Sequence, residues 1–191
     1  MPNAYAYTYT YVEVDHETKQ RIIKEANQGD AEQQFYLGTS YIRDDGKVFK
    51  KNIPEGIKWL TKAANQGHLE AQTVLGYLYI QGEIVRQSGS KAIEWYSKAA
   101  NQGHTLSHSS LVIIYRDGKL VPANPAKVIE WSKKGASLGD IFSPSFAAVM
   151  YEKGDIVPKD LTEAKEWYGK SCDNGAKTAC SNYRELNEQG Y

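Results

Sequence analysis

The sequence predicts an all-α fold, a right-handed α/α solenoid of about four helix-turn-helix repeats with a capping helix at each end. Three sets of residues running in phase predict it. Trp59, Trp95, Trp131 and Trp167 stand 36 residues apart. Gly67, Gly103, Gly139 and Gly175 keep the same step, and so do Gly46, Gly82, Gly118 and Gly154. Tyr79, Tyr115 and Tyr151 follow it too, while Tyr41 stands two residues early, as a longer loop in its unit requires. A period between about 20 and 50 residues marks stacked supersecondary units that share one continuous core.

Each element follows from the pattern inside that period. Residues 1–14 are expected as a tail or extended segment, with Tyr5, Tyr7, Tyr9 and Tyr11 on one face if it is extended. Residues 15–29 are predicted as an N-terminal capping helix, with Arg21 where a tryptophan belongs. Residues 30–175 divide into units at about 30–67, 68–103, 104–139 and 140–175. In the second unit, Ala71, Leu75, Gly76 and Tyr79 give the stripe of an amphipathic helix, and Gly82 stops it. Ile84 and Val85 return from the turn to the core. A second helix from about Ser90 to Gln102 buries Ala92, Trp95, Ala99 and Ala100, and Gly103 ends it. Asn52 with Glu55, and Asp160 with Glu163, have the spacing of capping boxes; Pro125 after Asn124 suits a first helical position. The small pairs Ala63-Ala64, Ala99-Ala100 and Gly135-Ala136 let neighbouring helices approach closely. Residues 176–191 are predicted as a mostly polar C-terminal capping helix.

Composition narrows the function classes. The 191 residues carry 23 Lys and Arg against 23 Asp and Glu, so no bulk charge draws the chain to nucleic acid or an anionic membrane. No apolar run approaches the roughly 18 residues of a membrane span. The opening Met-Pro-Asn-Ala-Tyr shows neither the basic nor the apolar region of a signal peptide.

The stretch LGYLYIQGEIVRQSGSKAIEWYSKAANQGH resembles the Sel-one-like repeat, a relative of the tetratricopeptide repeat. The marks are Leu-Gly-x-x-Tyr in the first helix and Ala-x-x-Trp-Tyr-x-Lys-Ala-Ala in the second. The resemblance covers about three quarters of the chain. Unit 1 departs from it by an insertion at Asp44-Asp45, unit 3 by Val112 in place of glycine, and unit 4 by Pro144 inside its first helix. The last two are expected to weaken their helices locally without changing the architecture. Cys172 and Cys180 resemble the paired cysteines of the family's cysteine-rich branch, where each helical hairpin is stapled by a disulfide. The resemblance therefore implies one staple at the C-terminal end and an exported or periplasmic protein; two buried free thiols would instead suit the reducing cytoplasm.

By analogy with tetratricopeptide stacks, the first helices line a concave face. Registered on the Leu-Gly pair, that face carries Glu32, Phe35, Thr39 and Ile42, then Glu70, Thr73, Tyr77 and Ile80. The third unit adds Leu106, Ser109, Ile113 and Arg116, and the fourth Phe142, Ser145, Val149 and Glu152. Half of these positions are large and apolar, which suits recognition of a protein or peptide; a shift of register would instead place several of them in the inter-repeat core. The second helices, with Lys58, Lys62, Lys98, Lys133 and Lys170, read as a solvated back.

Little in the sequence points to chemistry. His104 and His108 at i, i+4 could share a helix face, but no third metal ligand is placed near them, and no metal or other cofactor is expected. Ser88-Gly-Ser-Lys91 matches the S-x-x-K of penicillin-recognising enzymes, yet neither S-D-N nor K-T-G occurs, and Ser88 falls at a helix N-cap. The resemblance thus implies a non-catalytic interaction module: a scaffold, a signalling adaptor, or an immunity protein that blocks a secreted bacterial toxin. The competing reading is a cysteine-rich relative that binds or hydrolyses β-lactams or cell-wall compounds.

Overall fold

The computed structural model describes residues 15–43 and 49–191. The predicted tyrosine-bearing segment 1–14, the Asp44-Asp45 insertion and Gly46 lie outside the described residues. Among those described, all regular structure is helical: α1 His16–Asn27, α2 Ala31–Ile42, α3 Ile53–Asn65, α4 Leu69–Gln81, α5 Gly89–Asn101, α6 Thr105–Asp117, α7 Pro125–Ser137, α8 Phe142–Lys153, α9 Leu161–Asp173 and α10 Lys177–Glu188. The fold is an all-α solenoid. It divides into two compact units, Met1–Gln66 and Gly67–Tyr191.

In the first unit α2 packs on both α1 and α3. Ile22, Ala26, Leu37, Phe49 and Trp59 form its buried cluster, with Tyr36 and Tyr41 packed against it. In the second unit each helix from α5 to α10 packs on the one before it, and α6 also meets α8. Ala92, Tyr96, Leu111, Val112, Val128, Trp131, Met150 and Trp167 belong to one continuous core there, as expected when repeats share an interface rather than each closing its own.

The helix boundaries follow the punctuation of the sequence. Asn52, Ser88, Asn124 and Asp160 cap α3, α5, α7 and α9, each side chain accepting a hydrogen bond from the N–H three residues on. The same four residues donate their own N–H to the carbonyl of Tyr41, Tyr79, Tyr115 and Tyr151, at 2.8–3.0 Å. That bond ties the first helix of every unit to the start of its second. Asn52 is 11 positions after Tyr41, whereas the other caps are 9 after their tyrosines, and the bond forms in each case. Gly82, with φ of 72°, ends α4, and Gly103, with φ of 88°, follows the cap of α5. There the Gly103 and His104 N–H groups return to Ala100 and Ala99.

The expected weakening at Pro144 and Val112 does not occur. Pro144 is the third residue of α8, where a helix has no use for the missing N–H. Val112 is fully buried in an unbroken α6. In unit 2 the equivalent residue is Gly76, where an added methyl group would stand 3.0 Å from the Tyr96 ring. Unit 3 has Ser132 at the position of Tyr96, so a small facing residue leaves room for the larger valine. At the other end, a disulfide joins Cys172 of α9 to Cys180 of α10 with Cα atoms 4.6 Å apart. The bond is consistent with an oxidising, exported location.

Candidate partner-binding face

In the second unit the sequence-predicted residues on α4, α6 and α8 sort into two depths. Thr73 and Ser109 are buried, and their hydroxyls return to the carbonyls of Glu70 and Leu106. Both are thereby committed to their own helices. Tyr77, Ile80, Ile113, Arg116, Ser145, Val149 and Glu152 are half-buried, and Glu70 is exposed. Ile80 and Ile113 line a shallow cavity of about 460 Å³ with Ile114, Leu120, Gln87 and Ser110. Arg116 lies 5.0 Å over the Phe146 ring and also bonds Asp117. Glu152 accepts a 2.7 Å hydrogen bond from the Tyr168 hydroxyl, and burial, aided by that bond, drives the tyrosine pKa upward. In the first unit, α2 carries an exposed Glu32 and half-buried Phe35, Thr39 and Ile42.

Leu106 and Phe142 are different. They are 56% and 48% exposed, at the position that Glu32 and Glu70 hold in units 1 and 2. Leu138, which ends α7, is 50% exposed where units 1 and 2 have Gln66 and Gln102. Three of the five exposed large apolar residues among those described thus cluster in the sequence around the start of α6 and the α7–α8 junction.

The second helices hold a feature that the sequence reading missed. Lys62, Lys98, Lys134 and Lys170 place their ammonium groups 3.9, 4.0, 4.2 and 4.3 Å from the centroids of Trp59, Trp95, Trp131 and Trp167. Each of these second helices thus carries a cation–π pair on its own tryptophan, while Lys58, Lys62, Lys133 and Lys170 remain exposed. The Trp-x-x-Lys spacing was the available signal, and Lys134 rather than Lys133 occupies it. The residues of the S-x-x-K motif are engaged structurally. Ser88 Oγ accepts the Lys91 N–H, and the Lys91 ammonium lies 5.0 Å over Tyr79.

A buried polar seam runs between α6, α7, α8 and α9. His104 caps α6 in position, its Nδ1 2.8 Å from Ser107 Oγ. His108 is only 2% exposed, its Nδ1 is 3.1 Å from the His104 carbonyl, and its ring meets the Trp131 ring edge-on at 5.7 Å. Asp140 accepts the N–H groups of Phe142 and Ser143 and the Ser143 hydroxyl, so it is the side chain that caps α8. Ser132 donates to the Ser143 carbonyl, Ser171 to Ile141, and Asn174 to both Ala136 and Asp140. Burial lowers the pKa of both histidines and raises that of Asp140. Among the described residues no group of three or more His, Cys, Asp or Glu is arranged to hold a metal, and no helix is long and apolar enough to cross a membrane.

The Sel1 repeat family pattern matches residues 31–68, 69–104, 113–140 and 146–175. The chain belongs to the Sel1 repeat family. Sel1 repeat proteins are generally protein-interaction modules and generally non-catalytic. Between them the matches leave out residues 105–112 and 141–145, so Leu106, His108, Phe142 and Ser143 lie outside the matched stretches.

Solved structures agree with the assignment. The chain is similar to c5321, a protective antigen of uropathogenic Escherichia coli strains with an SLR fold: 29% identity, TM-score 0.69, covering 90% of this chain and 36% of that one. It is similar also to a Sel1 repeat protein from Oxalobacter formigenes, at 34% identity and TM-score 0.68, covering 85% of this chain and 66% of that one. The chain thus spans about a third of the first protein's length and just under two thirds of the second's. A sel1 repeat protein from Klebsiella pneumoniae subsp. pneumoniae shares the fold at 21% identity and TM-score 0.50, over 90% of this chain and 84% of that one. No curated protein matches the chain.

Proposed function

We propose that this Sel1 repeat chain is a non-catalytic module that binds a protein or peptide partner on the face of its first helices, centred on α4, α6 and α8. The observation that carries the reading is the exposure of Leu106 and Phe142, where the first two units place Glu32 and Glu70. Large apolar side chains left in water at equivalent positions of successive repeats suit burial against a partner. Tyr77, Ile80, Ile113 and Val149 extend the apolar character along the same helices, with Arg116 and Glu152 as its polar members. The partner class we put first is a secreted bacterial toxin, on the strength of the disulfide and of the toxin-blocking members that the family resemblance implied. The β-lactam reading loses its support at Ser88 and Lys91, which serve the cap and the Tyr79 ring.

The test is capture from the source organism's extract with wild type beside a Leu106→Glu, Phe142→Glu variant, which restores the charge that the other units carry. Both side chains are about half in water, so the variant is expected to keep the wild-type circular dichroism and melting curve. A partner held by wild type and lost at least tenfold by the folded variant supports the reading, and its identity decides the toxin assignment. Equal capture by both proteins contradicts it.

A further inference from the structure

At the fourth position after the capping residue of each first helix, the four repeats bury one side chain. It is Gln34 in α2, Gln72 in α4, His108 in α6 and Pro144 in α8, and the half-buried, bridged Cys180 takes the place in α10. The two glutamines are locked by the residue that ends the following helix: Gln66 donates to the Gln34 amide oxygen and Gln102 to that of Gln72, each at 2.8 Å. In unit 3 that terminal residue is Leu138, which has no polar group to offer. His108 is therefore the one titrating side chain in this series, and it is held by the His104 carbonyl and the edge of Trp131 instead. It also lies in a segment outside the family pattern.

We infer that His108, together with His104, is an acid-sensitive latch whose protonation loosens α6 from α7 and α8. A carbonyl only accepts, so neutral His108 carries its proton on Nδ1, and acid adds a second at Nε2 of a ring that is only 2% exposed. His104 stands at the N-terminus of α6, where the helix dipole also opposes a positive charge. The charged and titrating groups around the pair are few. Lys134 of α7 opposes His108 protonation, as the two histidines oppose each other. The hydrogen bond to the His104 carbonyl and Asp140, from the turn between α7 and α8, favour a charged His108, and Glu70 of α4 favours a charged His104. Burial outweighs these attractions at both rings.

The sign follows from linkage. A histidine whose pKa is lower folded than unfolded binds fewer protons in the fold. Its contribution is intact above the unfolded value near 6.5 and is lost as pH falls below it. Asp140, raised by burial, acts in the opposite direction. Each histidine multiplies the opening constant by up to about tenfold per pH unit below that point. The inference does not depend on the proposed partner.

The experiment is hydrogen exchange of the wild-type chain between pH 7.5 and 5.5, corrected for intrinsic rates, beside His108→Gln, which installs the neutral residue of units 1 and 2. In wild type, opening of α6 to α8 is expected to rise severalfold on acidification while α9 and α10, stapled by the disulfide, change less. In His108→Gln the rise is expected to shrink by at least half. Parallel behaviour of the two proteins overturns the inference. Should the variant fail to fold, the wild-type His108 ring resonance decides: a midpoint below 6.5 coincident with the opening of α6 supports the latch. An unshifted midpoint, or no coincident opening, overturns it.

Discussion

Lys62, Lys98, Lys134 and Lys170 each cap the face of a tryptophan that is itself at most 6% exposed. The lysine shields the ring edge of the stack from water while its stem covers apolar surface. Lys62→Gln is expected to cost about 0.5–1 kcal/mol in chemical denaturation, the usual worth of a partly exposed cation–π pair. No change in midpoint would mean that the contact is only geometric. The facing residues of the repeats offer a sharper test. Gly76 with Tyr96, and Val112 with Ser132, occupy equivalent sites in opposite size orders. Gly76→Val is expected to destabilise by about 1–3 kcal/mol through overpacking. Adding Tyr96→Ser is expected to recover part of that loss, so the double-mutant cycle shows favourable coupling. Strictly additive costs would show that the two sites are independent.

At the scale of an element, α10 is the helix with the most to lose. It packs chiefly on α9, and among its residues only Ala179 and Leu186 are buried. The Cys172–Cys180 bond closes a loop with a sequence separation of 8, for which the chain-entropy model gives about 2–3 kcal/mol. Reduction is expected to speed hydrogen exchange across α10 by tenfold or more while leaving α6 unchanged; uniform exchange throughout would show that the staple supports the whole stack. Helix limits were legible because glycine, proline and the Asn, Ser or Asp caps are local signals that tertiary packing did not override. Pro144 was misjudged for a related reason: its effect depends on which turn it occupies, and the start of α8 is set by Asp140, whose capping bonds no spacing rule announces. The depth of Thr73 and Ser109 was equally invisible. Register on a helix gives direction, but burial depends on how closely the next repeat approaches.

At the scale of the whole molecule, a neutral chain of repeats leaves recognition to shape and apolar contact rather than to long-range attraction. The periodic residues build the scaffold, and the two internal segments outside the family matches supply the exposed Leu106 and Phe142 and the buried His108. The sequence could point to a first-helix face because the repeat fixes the register. It could not separate Leu106 and Phe142 from their half-buried neighbours, since exposure is a property of the packed stack. The most direct measurement is photo-crosslinking in the source organism's extract, with a photoreactive amino acid replacing either Leu106 on the first-helix face or Lys133 on a second helix. A specific adduct is expected from position 106 and none from position 133. An adduct from 133 alone would contradict it and move the working surface to the opposite side of the repeats.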